Sequence, residues 1–149
     1  MAASLWARPL FPFAGRSVAV IGSRFYDRLD LVESFVIHTL LPHGADGTPL
    51  HTLWPRLIVS GGARGVDSCA AKAASKYNAP VKVIRPDFQR HGRGAPLERN
   101  WDIIDAADAV VAFWNEESRG TRHALGLAWS KHLSVLVFGA DGTLRKRAV

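Results

Sequence analysis

Ser60-Gly61-Gly62-Ala63-Arg64-Gly65-Val66-Asp67 joins the apolar run Leu57-Ile58-Val59 to an alanine-rich stretch, and it is the part of this 149-residue chain best suited to holding an anion. Glycine lets backbone approach a ligand closely, and the first N–H groups of a helix have no partner within it, so a glycine turn that feeds a helix makes a phosphate cradle. Arg64 adds a planar, permanently charged fork that matches phosphate oxygens. The segment lacks the Gly-Lys-Ser/Thr ending of a P-loop and the G-x-G-x-x-G spacing of a dinucleotide fingerprint. Asp67, at the helix start, suits the helix dipole and can hold the turn by accepting backbone N–H groups.

A second glycine turn, Ser118-Arg119-Gly120-Thr121, also runs into a helical pattern, with Ser118 or Thr121 able to cap it or to bond a phosphate oxygen. Gly22-Ser23-Arg24 follows the first apolar run and offers a third hydroxyl. Arg24, Arg64, Arg93, Arg99, Arg119 and Arg122 fall in or beside loops expected at one edge of the molecule, which favours a phosphorylated or polyanionic ligand. Glu98, Glu116 and Glu117 read first as solvated surface acids, and of the three Glu98, next to Arg99, is the one nearest to a catalytic position. Trp114 and Trp101 offer flat faces for a base. The histidines are scattered without ligand spacing, so no metal site is expected, and no cofactor.

The elements that position these residues follow from hydrophobic periodicity. Val18–Ile21 is a short continuous apolar run of the kind buried on both faces of a sheet, and Leu57–Val59, Val81-Lys82-Val83-Ile84, Ala109–Phe113 and Ser134–Phe138 read as four further strands. Between them lie helical patterns. Leu29, Val32, Val36 and Leu40 define the first, and Val66 to Tyr77 the second, with Asn78 placed to cap it and Pro80 beyond. Leu97, Trp101 and Ile104 define a third after Pro96, and Leu125, Ala128 and Trp129 a fourth beginning near Thr121. Residues 43–56 read as a long surface loop. This alternation predicts right-handed crossovers and an α/β, Rossmann-like three-layer fold with a mainly parallel five-stranded sheet, ligand loops meeting beyond the strands' carboxyl ends.

Bulk properties agree with one domain: an N-terminal arm over 1–16, the sheet domain over 17–140 and a solvated basic tail over 141–149. An apolar fraction of 48% with 21% charged residues excludes disordered and fibrous classes, and no run reaches membrane-span length. The stretch Leu5 to Phe13 is interrupted by Arg8, Pro9 and Pro12, which argues for a packed arm over an export signal. The lone Cys69 suits a reducing, cytoplasmic setting. The net charge of +6 rests on 19 basic against 13 acidic side chains, 14 of the basic ones arginine, a bias consistent with phosphate recognition or with a GC-rich genome.

Taken together, Val20-Ile21-Gly22-Ser23-Arg24, the 60–67 run, Arg99-Asn100 and Ser118-Arg119-Gly120-Thr121 resemble the SLOG superfamily over about residues 17–138. That group includes the DNA-processing family (Smf/DprA), the "lonely guy" phosphoribohydrolases and small YAcAr-type proteins associated with nucleotide signalling, the last being the form most similar to this chain. The resemblance implies a nucleotide or nucleotide-derived ligand held by Gly22, Ser23, Arg24, Gly61, Gly62, Arg64, Gly65, Asp67, Asn100, Trp114, Ser118, Arg119, Gly120 and Thr121, and a homo-oligomer. Arg99 matches the phosphoribohydrolases' arginine, and Gly120-Thr121 match the glycine-threonine pair of their Pro-Gly-Gly-x-Gly-Thr-x-x-Glu motif. Their glutamate has no counterpart, because His123 and Ala124 stand beyond Thr121. The sequence therefore ranks nucleotide binding first, single-stranded DNA binding second and N-glycosidic hydrolysis, with Arg99 and Glu98 as its residues, third.

Overall fold

The structure is a computed structural model that describes residues 13–148. Five short strands, β1 (Ser17–Gly22), β2 (Leu57–Ser60), β3 (Val81–Val83), β4 (Ala109–Phe113) and β5 (Ser134–Phe138), pair in parallel; the apolar runs of β1 and β4 are buried on both faces, whereas β3, at the sheet's edge, carries Lys82 and leaves Val83 39% exposed. A sixth strand, β6 (Leu144–Ala148), lies antiparallel to β5, giving the order β3-β2-β1-β4-β5-β6. This corrects the expected five strands and solvated tail. Asp141-Gly142 makes the turn: the Asp141 carboxylate accepts from the Thr143 N–H at 3.0 Å and from its hydroxyl at 2.7 Å, and Gly142 takes a left-handed φ of +81°. The chain folds back, and the basic segment completes the sheet.

Strand alternation divides the core. Val18, Val20, Ile58, Val111 and Phe113 face α1 (Leu29–Ser34) and α2 (Val66–Lys76); Ala19, Ile21, Val59, Val110 and Ala112 face α4 (Ala95–Asp105) and α5 (Arg119–Ser130). A four-residue helix, α3 (Phe88–His91), precedes α4. The first helical pattern breaks into α1 and a π-helical turn over Phe35–Leu40, with Val32, Val36 and Leu40 buried as their spacing predicts and Phe35 added to them. Asn78 adopts φ 58° after α2, the left-handed stop its position suggested.

The link over 43–56 is exposed over 45–49 and at 51–52, as a surface loop should be, and is anchored at its end, where Trp54 is buried, its Nε1–H donates to the Pro42 carbonyl at 2.8 Å, and its own carbonyl accepts from Gly15 at 2.9 Å. One further expectation is corrected. On α4 the buried face is Ala95, Asn100, Ile103 and Ile104, while Leu97 and Trp101 stay 45% and 47% exposed. A polar residue, Asn100, turns inward because partners on α5 await it, and the helix is rotated away from the face that hydrophobicity alone selects. The first twelve residues of the expected N-terminal arm lie outside the described residues; Phe13, at its end, is buried. Among the described residues, no helix is long and apolar enough to cross a membrane.

Candidate functional site

β1 and β4 are neighbours whose connections leave in opposite directions, and in open α/β sheets ligands bind in the crevice beyond the strand ends at that point. A cleft of about 280 Å³ lies there. Ile21, Gly22 and Arg24 line it from the end of β1; Ala63 and Asp67 from the β2–α2 junction; Pro96, Leu97, Arg99, Asn100 and Ile103 from α4; Ser118, Gly120, Thr121 and Ala124 from the start of α5. Gly22 is needed for close packing, since a Cβ on it would lie 2.4 Å from the Phe113 carbonyl and 2.7 Å from Val66.

The 60–67 turn is built differently from an open anion cradle. Several of its amides are engaged within the protein: Gly62 N–H donates to the Ser60 hydroxyl at 3.2 Å, Ala63 N–H to Asp67 Oδ2 at 3.4 Å and Val66 N–H to the Ser23 carbonyl at 3.4 Å, and just beyond the turn Ser68 N–H donates to the Ala63 carbonyl at 3.1 Å. Gly65, at φ +80°, carries the chain so close to Ser23 and Arg24 that a Cβ would sit 2.3 Å from the Arg24 carbonyl. What this turn presents to the cleft is a carboxyl group. Asp67 is 5% exposed, and its Oδ1 has no hydrogen-bond partner. Burial pushes its pKa up to about 6, against the pull of backbone N–H groups and of Arg99.

Arg99 is half-buried beside it. Its Nη1 donates to the Gly61 carbonyl and, at 3.5 Å, to that of Ile84, while its Nε finds no partner. Burial lowers its pKa from the ordinary arginine value and the Asp67 charge opposes that; a guanidinium stays charged throughout. Asn100 is buried, its Nδ2 within 3.1 Å of both the Gly120 carbonyl and His123 Nδ1, which fixes α4 against the start of α5.

On the far wall, Ser118 caps α5: its Oγ accepts from Thr121 N–H at 3.3 Å and lies 3.0 Å from Thr121 Oγ1. Asn115 holds this turn, its Oδ1 accepting from Glu117 N–H at 2.9 Å, Ser118 N–H at 3.2 Å and the Ser23 hydroxyl at 2.8 Å. The Ser23 Oγ in turn accepts from Asn115 N–H at 3.0 Å. Ser23 thus clasps the β1 loop to the β4 loop, and its hydroxyl is engaged within the protein.

Of the sequence-predicted residues, Gly22, Arg24, Asp67, Arg99, Asn100, Ser118, Gly120 and Thr121 come together in the cleft. Gly61 lies behind it, under the Asp67 and Arg99 side chains. Gly62 borders a separate groove beside Arg85, and Arg64 and Arg119 are exposed outside the cleft lining. Glu98 is also exposed and outside it. Trp114 faces a second crevice with Trp129, its Nε1–H donating to the Ser118 carbonyl at 3.1 Å and the Arg122 guanidinium 5.7 Å from its ring. The sequence reading missed Asn115, although an Asn two residues past a strand and before Glu-Glu-Ser is an Asx-turn signal. Ala63, Pro96, Ile103 and Ala124 were also missed, being apolar wall with no chemical signature. Among the described residues no cluster of His, Cys, Asp and Glu fits a metal ion.

The fold is shared with solved structures. A DNA processing protein A from Helicobacter pylori, described for a unique single-stranded DNA binding mode, matches with a TM-score of 0.57 and 20% identity over 84% of this chain and 66% of that one. The DNA processing protein A of Streptococcus pneumoniae matches with 0.63 and 17% over 87% of this chain and 51% of that one. TM1055, a structural genomics target, matches with 0.53 and 17% over 80% and 72%. The chain thus corresponds to part of the length of the two DNA processing proteins, and at these identities the likeness is one of fold. No protein-family model matches the sequence, and no curated protein does.

Proposed function

We propose that this protein binds a nucleotide or nucleotide derivative in the cleft between β1 and β4, with the phosphate toward Arg99, Arg24 and the Ser118–Thr121 turn. The observation that carries this reading is the convergence, in one cleft at the sheet's switch point, of a half-buried guanidinium with the start of a helix. A charge-assisted bond from a desolvated arginine is stronger than one at the surface, and the helix N-terminus adds partial positive charge. The volume, about 280 Å³, stands at the small end of ligand pockets and suits a mononucleotide more than a polymer. Ala124 lies in the cleft where the phosphoribohydrolase resemblance would want its glutamate nearby, which favours binding over hydrolysis.

Titration calorimetry with AMP and adenosine tests this. AMP is expected to bind at least tenfold tighter than adenosine, with Arg99→Ala removing about 10–100-fold of the AMP affinity, as for loss of one charge-assisted bond. Equal binding of AMP and adenosine by the native protein would refute the phosphate assignment.

A second reading, single-stranded DNA binding, draws on the fold likeness to the DNA processing proteins and on the exposed Arg24, Arg64, Arg93 and Arg119. It requires an affinity for oligothymidylate that falls steeply with salt and is not competed by AMP.

A further inference from the structure

Two polar atoms at the cleft are buried without partners, and they differ in kind. Asp67 Oδ1 is an acceptor and Arg99 Nε a donor. Natural proteins leave few such atoms, because each forgoes a hydrogen bond after losing its water. The surroundings are arranged to keep this pair: a Cβ on Gly61 would lie 2.7 Å from Asp67 Oδ2 and 2.9 Å from Arg99 Nη1, so a larger residue there would displace both side chains. The other oxygen, Oδ2, is already engaged by Ala63 N–H, and the N–H groups of Gly22 and Gly61 also draw on the carboxyl. Only Oδ1 is left, on a residue 95% buried by its 5% exposure, in the wall of the cleft.

Such an oxygen selects a ligand by what the ligand donates. A phosphate offers acceptors alone and is repelled by the carboxylate, so the anionic group is met by the Arg99 and Arg24 guanidinium groups and the start of α5, and not by Oδ1. A hydroxyl donates to Oδ1 and its own oxygen can accept from a donor such as Nε–H. A sugar bearing adjacent hydroxyls supplies both partners. Resting on the nucleotide-binding reading, we propose that Asp67 is the specificity-determining residue of the cleft and that it accepts a hydroxyl of a ribose, so that the ligand class is a ribonucleotide and not its deoxy counterpart. The burial that pushes the Asp67 carboxyl up to about 6 fits this role, since a hydroxyl donated to the carboxylate restores part of the solvation it lost. A site built to bond a hydroxyl rejects the analogue lacking it strongly, because the protein group is then left buried and unpaired.

The experiment compares AMP with 2′-deoxy-AMP on the native protein by calorimetry, then repeats both with Asp67→Asn. The native protein is expected to prefer AMP by tenfold or more. Asp67→Asn, nearly isosteric, is expected to lose most of that preference while binding 2′-deoxy-AMP within about threefold of the native protein. Equal native affinities for the two nucleotides, each reduced by Arg99→Ala, overturn the ribose assignment and leave the phosphate reading standing. Binding of neither nucleotide overturns both. An Asp67→Asn protein that keeps the full preference for AMP also overturns the assignment, and the native comparison decides the matter if that variant fails to fold.

Discussion

Asp67→Asn gives a sharp test of the electrostatics of the cleft without any ligand. The carboxyl moves from an ordinary 3.8 in the unfolded chain up to about 6 in the fold, with burial as the main cause. Ionising it in place therefore costs stability. Below pH 3.8 both states hold the proton and there is no penalty; between 3.8 and about 6 the unfolded chain gives up its proton first, so stability falls as pH rises; above about 6 the full cost is present. The magnitude follows from the shift, at about 1.4 kcal/mol for each pKa unit, and comes to about 3 kcal/mol by pH 7.5. Asparagine cannot ionise and can still accept from Ala63 N–H, so the variant lacks this slope. Urea denaturation of both proteins at 25 °C, from pH 4 to pH 8, should show the variant gaining about 2.5 kcal/mol relative to the native protein as pH rises, whatever their difference at pH 4. Subtracting the two curves cancels the other titrating groups. A difference that stays flat within about 0.5 kcal/mol across that range would show that Asp67 is not a desolvated carboxylate, and the reasoning from its burial would fail.

Gly22→Ala should destabilise the fold by about 3 kcal/mol, read from the urea midpoint, because its new Cβ meets the Phe113 carbonyl and Val66 at once and both belong to the packed core. Ser23→Ala removes the clasp to Asn115 and should cost about 1–2 kcal/mol in stability and also weaken AMP binding several-fold, the second effect checked by the same calorimetry as the native protein.

The sheet was legible because fully buried parallel strands read as unbroken apolar runs, and Val18–Ile21 and Ala109–Phe113 have no other sensible home. β6 was hidden because Arg145-Lys146-Arg147 carries no apolar alternation; its signal is the Asp141-Gly142 turn, which is a hairpin pattern once looked for. The rotation of α4 was not legible, since Leu97 and Trp101 outweigh Asn100 on any hydrophobic scale and only the Gly120 carbonyl across the cleft explains why Asn100 goes inside. The loops that carry the cleft were found from glycine, serine and arginine at helix starts. Their division of labour was not. Asp67 at the helix start did announce an acid that holds the turn through backbone N–H groups, as it does with Ala63; that the same carboxyl would line the cleft was hidden, because it depends on how α2 packs against β1 and α4.

Both outer strands of the sheet carry positive charge, Lys82 on β3 and Arg145, Lys146 and Arg147 on β6. A second molecule trying to extend the sheet would set cation against cation at the strand spacing of about 4.8 Å, well inside the screening length of roughly 8 Å at physiological ionic strength. The sheet therefore guards its own ends against runaway stacking into fibrils. Concentrated salt lowers that guard, and so would a polyanion lying along either border. What the charges at the two margins disfavour is growth of the sheet strand upon strand.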